Sequence, residues 1–201
     1  MTAERSRRAS KRRETKETAV AVTLDVDGAG KARVSTNLPF FDHMLEQLAK
    51  HSGTDLVIEA TGDLHVDAHH TVEDVGIVTG SCLADALGDK AGVRRFANTL
   101  VPLDEALIEV ALDLSGRGFL AYDVPFAPDT PGLGDPPCDP QLAEEFWRAF
   151  ATSAGITLHV RKREGRNTHH IVEASFKAVA RALRDAVRVE GADIPSTKGA
   201  L

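Results

Sequence analysis

The chain repeats itself, and this duplication limits its possible folds more than any other feature of the sequence. The segment ETAVAVTLDVDG at 17–28 aligns with EALIEVALDLSG at 105–116, and both alternate apolar with other residues before a glycine. A period of two predicts the first strand of a β-hairpin, with second strands at 31–36 and 117–124. Further along, HHTVEDVGIVTGSCLADAL aligns with HHIVEASFKAVARALRDAV. The sequence therefore predicts two related folding units.

Each copy continues with a helix, a strand and a second helix. Apolar residues three and four apart predict first helices at 40–51 and 141–154, each followed by a glycine that suits a helix end. The strands DLVIEA and ITLHVRK come next, and the histidine-containing helices follow them. We therefore expect an α/β (α+β) fold, in which a hairpin–helix–strand–helix unit is duplicated and helices are layered on small mixed sheets. The halves would be 14–92 and 93–201, within one domain overall.

Charge and composition limit the expected partners and compartment. Six arginine and lysine residues crowd into 1–13 without an apolar period, which predicts a basic disordered arm or, alternatively, an arm that binds an acidic ligand. The net charge of -6 argues against a nucleic-acid partner. No apolar run approaches the ~20 residues of a membrane span. Two cysteines and no apolar stretch of signal-peptide type predict a reducing, cytoplasmic compartment.

The duplicated polar residues predict a metal centre. Both copies contain His-His-x-x-Glu, and ten residues before the glycine after each first helix stand His43 and Glu145. One such motif alone is usually a helix turn at the surface, but repetition at matching places favours a functional role. Adjacent histidines on a helix diverge by about 100°, so each pair suits two metal centres better than one. Imidazole with carboxylate suits Mn, Fe, Co, Ni or Zn, and octahedral room favours Mn²⁺. The candidate ligands are His43, His69, His70, Glu73, Glu145, His169, His170 and Glu173.

Many short motifs, in order, resemble the imidazoleglycerol-phosphate dehydratase family. They cover the chain from about Arg13 to the C-terminus and include FDHML, GDLHVDAHHTVED, PLDEAL, DLSGRG, GRNTHHIVEASFKA and PSTKG. The resemblance implies a dehydratase of histidine biosynthesis that converts D-erythro-imidazoleglycerol phosphate to imidazoleacetol phosphate and water. It also implies two Mn²⁺ ions per active site, and a homo-oligomer of twenty-four subunits with active sites between subunits. Some members have a ligating histidine where this chain has Glu145.

The chemistry of that substrate implies further roles. The proton to be removed lies beside a hydroxyl and is not acidic by itself. A metal on a ring nitrogen would stabilise an imidazolate, and ring electrons could expel the hydroxyl through a diazafulvene-like intermediate. The expected general acid–base groups are Glu17, Glu173 and Asp104. The family match supplies the substrate-binding candidates, several of them cations suited to phosphate. These are Glu17, His51, Arg95, Arg117, Lys177, Ser196, Thr197 and Lys198.

Two other functional classes fit parts of the pattern. A binuclear metallohydrolase acting on a phosphate ester would share the ligands, and it would release inorganic phosphate. A metal store or chaperone is the second class. Ferritin-like stores, however, build their sites from Glu-x-x-His on bundled helices, whereas here the order is reversed and helices alternate with strands.

Overall fold

Residues 6–201, the part of the chain that the computed structural model describes, form eight strands and four helices. The strands are β1 Arg8–Glu14, β2 Thr18–Asp25, β3 Ala32–Ser35, β4 Asp55–Gly62, β5 Phe96–Leu103, β6 Ala106–Asp113, β7 Phe119–Asp123 and β8 Thr157–Glu164. The helices are α1 Pro39–Ser52, α2 His69–Leu87, α3 Leu142–Ala154 and α4 Thr168–Ala186. None of these helices is long and apolar enough to cross a membrane.

The two halves have the same sheet topology. The first sheet has the order β1-β2-β4-β3 and the second the order β5-β6-β8-β7. In each, the second strand runs antiparallel to both neighbours, and the last strand in the order is parallel to the one beside it. The predicted α/β fold with a duplicated unit and small mixed sheets is confirmed.

The hairpin of each half lies one strand earlier than the sequence predicted. Strand β2 pairs with β1 and β6 with β5, whereas the supposed second strands β3 and β7 pair in parallel with β4 and β8. The reason is the helix between β3 and β4, and between β7 and β8. A strand–helix–strand connection brings two parallel strands side by side, so the strand before the helix pairs with the strand after it.

The prediction of a disordered arm is wrong for residues 8–13, because they form most of β1. Lys11 bonds Asp85 at 2.9 Å and Arg13 bonds Asp74 at 2.8 Å, so the side of this edge strand that faces α2 has two cations beside Ala9, which packs against the core. Long aliphatic stems can cover apolar surface while their charged ends bond elsewhere, which explains why the strand shows no apolar period. Residues 1–5 lie outside the described part of the chain.

Helices pack across the two halves and build one shared core. Helix α1 packs against α4, and α2 packs against α3. Aromatic side chains fill the junction, where Phe146 contacts Phe41, Trp147 and Phe176. Both first helices end at glycines in the left-handed region, Gly53 and Gly155, as predicted. The crossing of helices brings residues from both copies of the repeat to the same place.

Candidate active site

Three of the predicted metal ligands meet at the N-terminal end of α4. Helix α1 supplies His43, and α4 supplies His169 and Glu173. The Oε2 atom of Glu173 lies 3.3 Å from Nε2 of His43 and 2.9 Å from Nε2 of His169. The three donor atoms lie within 4.8 Å of one another. Two imidazoles and a carboxylate that converge in this way can bind one divalent ion.

Glu173 is buried and is held in its charged form. Burial raises the pKa of this carboxyl group, but hydrogen bonds from Lys177 and His169 outweigh that effect, so its pKa is below the usual range. The ammonium of Lys177 lies 2.5 Å from Oε1, on the side away from the histidines. A carboxylate must be deprotonated to bind a metal ion. Lys177 therefore helps to keep Glu173 in the state in which it can be a ligand.

The second histidine of each pair is held through Nδ1 by a carboxylate. His70 Nδ1 lies 3.1 Å and 3.2 Å from the two oxygens of Asp63. His170 Nδ1 lies 2.8 Å from Glu105, which also accepts backbone N–H groups just before α4. Hydrogen bonds to Asp63 and Glu105 raise the pKa of the two histidines, and the bond from His170 is the largest cause that lowers the pKa of Glu105 to about 2.

Asp63 and Glu105 are functional candidates that the sequence reasoning missed. Glu105 was visible as the repeat partner of Glu17, and Asp63 lies in the GDLH segment before the first histidine pair. The missing signal was which carboxylate reaches Nδ1, because that contact depends on how the ends of strands meet the start of the helix. Histidine ligands commonly donate their other ring N–H to such a carboxylate.

The corresponding set in the first half is not assembled within residues 6–201. His43, His169 and Glu173 correspond there to Glu145, His69 and Glu73, and no compact donor group forms from these three. Glu73 is exposed, and the carboxylate of Glu145 lies 3.7 Å from Arg148. The adjacent histidines do diverge, since the ring planes lie 77° apart in one pair and 89° apart in the other. All eight candidate ligands stay predictions, including His70 and His170, which lie outside the compact group.

Two exposed carboxylates lie beside the second histidines. Glu17 Oε2 is 4.0 Å from His70 Nδ1, and its side chain is 56% exposed. Asp104 Oδ2 is 3.8 Å from His170 Nε2, and its side chain is 77% exposed. Neither makes a side-chain hydrogen bond with another described residue. Both are therefore free to contact a molecule that enters from solvent.

Two of the substrate-binding candidates, His51 and Lys177, line a cleft of about 570 Å³ between α4 and β5. Arg181 and Asp185 lie further along the same wall. Burial lowers the pKa of His51, and the charges of Lys177 and Arg181 lower it further. Its Nε2 lies 3.2 Å from Gln47. The cleft begins beside the Glu173–Lys177 pair and so adjoins the donor cluster.

The other phosphate candidates gather at the opposite end of the molecule. Arg95 bonds both oxygens of Asp113, at 2.7 Å and 3.2 Å, and donates to the carbonyl of Pro195 at 2.7 Å. This contact places the tail segment with Ser196, Thr197 and Lys198 near Arg95, and a Cβ added at Gly116 would meet Leu201 at 2.4 Å. Arg117 follows Gly116 and is exposed. A guanidinium has five N–H groups, so Arg95 keeps donors for an anion.

The two ends are far apart in one chain. The backbone N–H of Arg95 donates to the carbonyl of Ala186, the last residue of α4, whereas His169 lies in the first turn. At 1.5 Å per residue this part of the helix spans about 25 Å. Strand β5 gives a similar separation. Arg95 lies just before this strand and Asp104 just after it, and its eight residues span about 23 Å.

Comparisons with known proteins give one consistent result. A profile of the imidazoleglycerol-phosphate dehydratase family matches residues 36–183. Proteins of that name from Acidiphilium cryptum and Xanthobacter autotrophicus are 54% identical over 98% of this chain and 56% identical over 94% of it, and the alignments cover 100% and 95% of those relatives. Crystal structures of the dehydratases from Staphylococcus aureus and Pyrococcus furiosus, the latter in complex with (S)-C348, both superpose with a TM-score of 0.79. Their sequences are 35% and 37% identical to this one. The superpositions include 92% and 95% of this chain and 99% and 100% of those two chains.

Proposed function

The chain belongs to the imidazoleglycerol-phosphate dehydratase family of hydro-lyases, and from that membership we propose that it removes water from D-erythro-imidazoleglycerol phosphate. The product would be imidazoleacetol phosphate, and the step would belong to histidine biosynthesis in the cytoplasm. The observation that carries the proposal is the cluster of His43, His169 and Glu173, whose donor atoms lie within 4.8 Å of one another. These donors suit a divalent metal, which this reaction needs because its proton is not acidic.

We propose Mn²⁺, with two ions per active site, as the cofactor. The mixture of imidazole and carboxylate donors fits it. When bound, the metal would supply Lewis acidity that lets the imidazole ring of the substrate accept negative charge. The proposed ligands are the cluster residues together with the other members of the duplicated motif, namely His43, His69, His70, Glu73, Glu145, His169, His170 and Glu173.

The carboxylates of the site divide into ligands and proton carriers. Oε2 of Glu173 lies beside Nε2 of both His43 and His169, which are candidate ligands themselves, and this position favours a role as ligand, while Oε1 is paired with Lys177. Glu17 and Asp104 are exposed, and we propose them as the groups that move protons to and from the substrate. The carboxylate of Glu17 lies 4.0 Å from a ring nitrogen of His70, and that of Asp104 lies 3.8 Å from a ring nitrogen of His170.

The phosphate-binding residues must come from a neighbouring subunit if all candidates serve one site. The substrate, an imidazole ring with a three-carbon phosphate, is far shorter than the ~25 Å between Arg95 and His169 along α4. His51 and Lys177 can act from the cleft beside the donors, while Arg95, Arg117, Ser196, Thr197 and Lys198 would approach from another copy. We therefore propose a homo-oligomer of twenty-four subunits with active sites between subunits, and no nucleic-acid or membrane partner.

Product analysis tests the reaction. Protein loaded with Mn²⁺ is incubated with imidazoleglycerol phosphate, and the mixture is examined for the dehydrated keto product and for inorganic phosphate. We expect the keto product with its phosphate retained, loss of activity on chelation and recovery with Mn²⁺. The variant His169→Ala should be inactive, whereas His159→Ala, on β8, should retain activity. Release of inorganic phosphate without keto product would favour a phosphoesterase instead.

Mixing two inactive variants tests whether subunits share a site. Arg117→Ala keeps the donor cluster, and His169→Ala keeps the phosphate end. Each variant is dissociated by chelation, and the two are mixed and reassembled with Mn²⁺. If sites lie between subunits, about a quarter of them would combine two intact halves after random mixing. Recovery of activity only in the mixture is expected, and mixtures as inactive as either variant would contradict the shared site.

A further inference from the structure

The two halves hold their equivalent histidines with different carboxylates. In the repeat, His70 corresponds to His170 and Glu17 corresponds to Glu105. Glu105 bonds His170 Nδ1 at 2.8 Å. Glu17 stands at 4.0 Å from His70 Nδ1, and Asp63 occupies that ring nitrogen at 3.1 Å instead. The duplicated glutamate therefore has a structural contact in one half and is displaced from that contact in the other.

The second half has no room for a counterpart of Asp63. Asp63 directly follows β4, and the residue that directly follows β8 is Gly165. Gly165 has a φ of 135°, and a Cβ added there would lie 2.8 Å from Ile171 and 3.1 Å from Ala106. A side chain at that position would be strained in its backbone and crowded by both neighbours. Glu105 is then the carboxylate that can reach His170.

Glu17 is left unengaged as a result. Its carboxylate accepts no hydrogen bond from any described residue, and more than half of its side-chain surface is exposed, at 56%. Glu105, in contrast, accepts from His170 and from the backbone N–H groups of Arg166 and Asn167, at 2.8, 3.1 and 2.7 Å. A carboxylate held by three donors is not available to a substrate, whereas an unengaged one is.

We propose that Asp63 is a positioning residue that holds His70 through Nδ1, turns Nε2 toward a metal ion, and so leaves the carboxylate of Glu17 free for the substrate. This inference rests on the proposed metal-dependent function. The ring contact fixes which nitrogen carries the proton, since a carboxylate accepts from N–H and the other nitrogen then offers its lone pair. In the described structure Nε2 of His70 has no hydrogen-bond partner, in agreement with this role.

The affinity for Mn²⁺ tests the proposal without any measurement of turnover. Bound metal is separated from free aqueous Mn²⁺ by its electron paramagnetic resonance signal, at fixed pH, for wild type and variants. Asp63→Ala should weaken binding about 10–100-fold, as for other residues that orient a ligating histidine. Asp63→Asn should stay within about threefold of wild type, because the amide oxygen can still accept from Nδ1. If Asp63→Ala does not fold, Asp63→Ser keeps a turn-forming residue that is too short to reach the ring and carries the same expectation.

Asp67→Asn is the matched control. Asp67 also lies near His70, but its side chain accepts from the backbone N–H of His69 at 3.1 Å, and the amide can keep that bond. Its loss of charge should change Mn²⁺ affinity less than threefold. A loss as large as that of Asp63→Ala would mean that nearby negative charge, and not the contact with Nδ1, controls binding, and the proposal would be wrong.

The second part of the proposal concerns Glu17 and is tested by a double variant. Glu17→Ala alone should leave Mn²⁺ affinity nearly unchanged. In an Asp63→Ala background, Glu17 becomes the carboxylate closest to Nδ1, so its removal there should weaken binding by clearly more than the product of the two single effects. A large effect of Glu17→Ala alone on Mn²⁺ affinity, or strictly multiplicative effects of the two substitutions, would contradict the separate roles proposed for Asp63 and Glu17. If wild type itself bound no Mn²⁺, the metal proposal would fail together with this inference, whereas normal binding by Asp63→Ala would overturn this inference alone.

Discussion

Replacement of Gly80 by alanine should destabilise the protein although alanine is the better helix former. Gly80 lies on α2 where this helix crosses α3, and a Cβ there would stand 2.4 Å from the carbonyl oxygen of Phe150 and 3.0 Å from Ser153. Real Cβ atoms essentially never approach closer than 3.0 Å, so the helices must separate by at least 0.6 Å. The obstacle is backbone, which cannot rotate away as a side-chain end could.

The expected size follows from two opposing effects. The change from glycine to alanine in a helix gains about 1 kcal/mol. Overpacking of a filled interface costs about 1–3 kcal/mol, and separation of the helices also loses contacts around it. The difference is about 0–2 kcal/mol before the lost contacts are counted, and with them the net destabilisation should be about 1–2 kcal/mol. For a chain of this length, 2–4 °C per kcal/mol gives a fall in Tm of about 2–8 °C.

Thermal unfolding of metal-free protein at one fixed concentration measures this change. Gly191→Ala is the control, because a Cβ at that position meets nothing within 4 Å, and its Tm should stay within about 2 °C of wild type. If helix propensity alone mattered, Gly80→Ala would raise the Tm by about 2–4 °C. A rise in Tm would therefore refute the close-packing argument, since the two accounts predict opposite signs.

Three further predictions concern the edge strand, the histidines and assembly. In a urea titration, Asp74→Ala should lower the free energy of unfolding by about 1.5–3 kcal/mol, because Asp74 is buried and accepts hydrogen bonds from Arg13 and Thr18. The control Asp85→Ala breaks the more exposed pair with Lys11 and should lower it by at most about 1 kcal/mol. Because the pKa values of His70 and His170 are raised in the folded protein, their protonation should stabilise metal-free protein fully below about pH 6.5, and this contribution should be lost as the pH rises through the folded-state pKa values. Urea midpoints that do not fall across this pH range would contradict the prediction. Chelation or mild acid should shift the mass seen in analytical ultracentrifugation from a large particle to smaller species, because histidine must be neutral to bind metal, and Mn²⁺ should reverse the shift. An assembly that keeps its full mass after verified metal removal would mean that apolar contacts alone hold it.

The parts of the fold that the sequence predicted are those that local patterns determine. Helices α1 and α3 were placed within a residue or two of their bounds, because apolar spacing and the following glycines, Gly53 and Gly155, mark them directly. The repeat likewise predicted that the two halves are copies of one folding unit. Strand β1 was missed because Ala9 is its one inward apolar residue, while Lys11 and Arg13 form ion pairs with α2, and because its pairing with β2 leaves no local pattern.

The candidate site was predictable as a set of residues but not as an arrangement. The repeated motif identified His169 and Glu173, and the spacing of the first helices identified His43. That these three meet depends on α1 packing against α4, a contact between halves that the sequence does not encode locally. The contacts of Asp63 and Glu105 with Nδ1 lie within one half each and were missed for a different reason, because no sequence pattern shows which of several nearby carboxylates reaches the ring.

The duplication has diverged at the donor cluster, and this divergence bears on the proposal that active sites lie between subunits. Glu173 is buried and paired with Lys177, one helical turn further on α4. In the first half the corresponding pair is Glu73 and Ile77, so Glu73 has no cation one turn away and is exposed. An exposed carboxylate beside a diverging histidine pair is a surface feature that a second molecule can complete, whereas the three donors around the buried Glu173 already converge within the chain. If the site lies between subunits as proposed, the exposed first-half set would be the part presented to a neighbour, and variants of Glu73 should impair assembly with Mn²⁺ more than they impair the folding of the subunit.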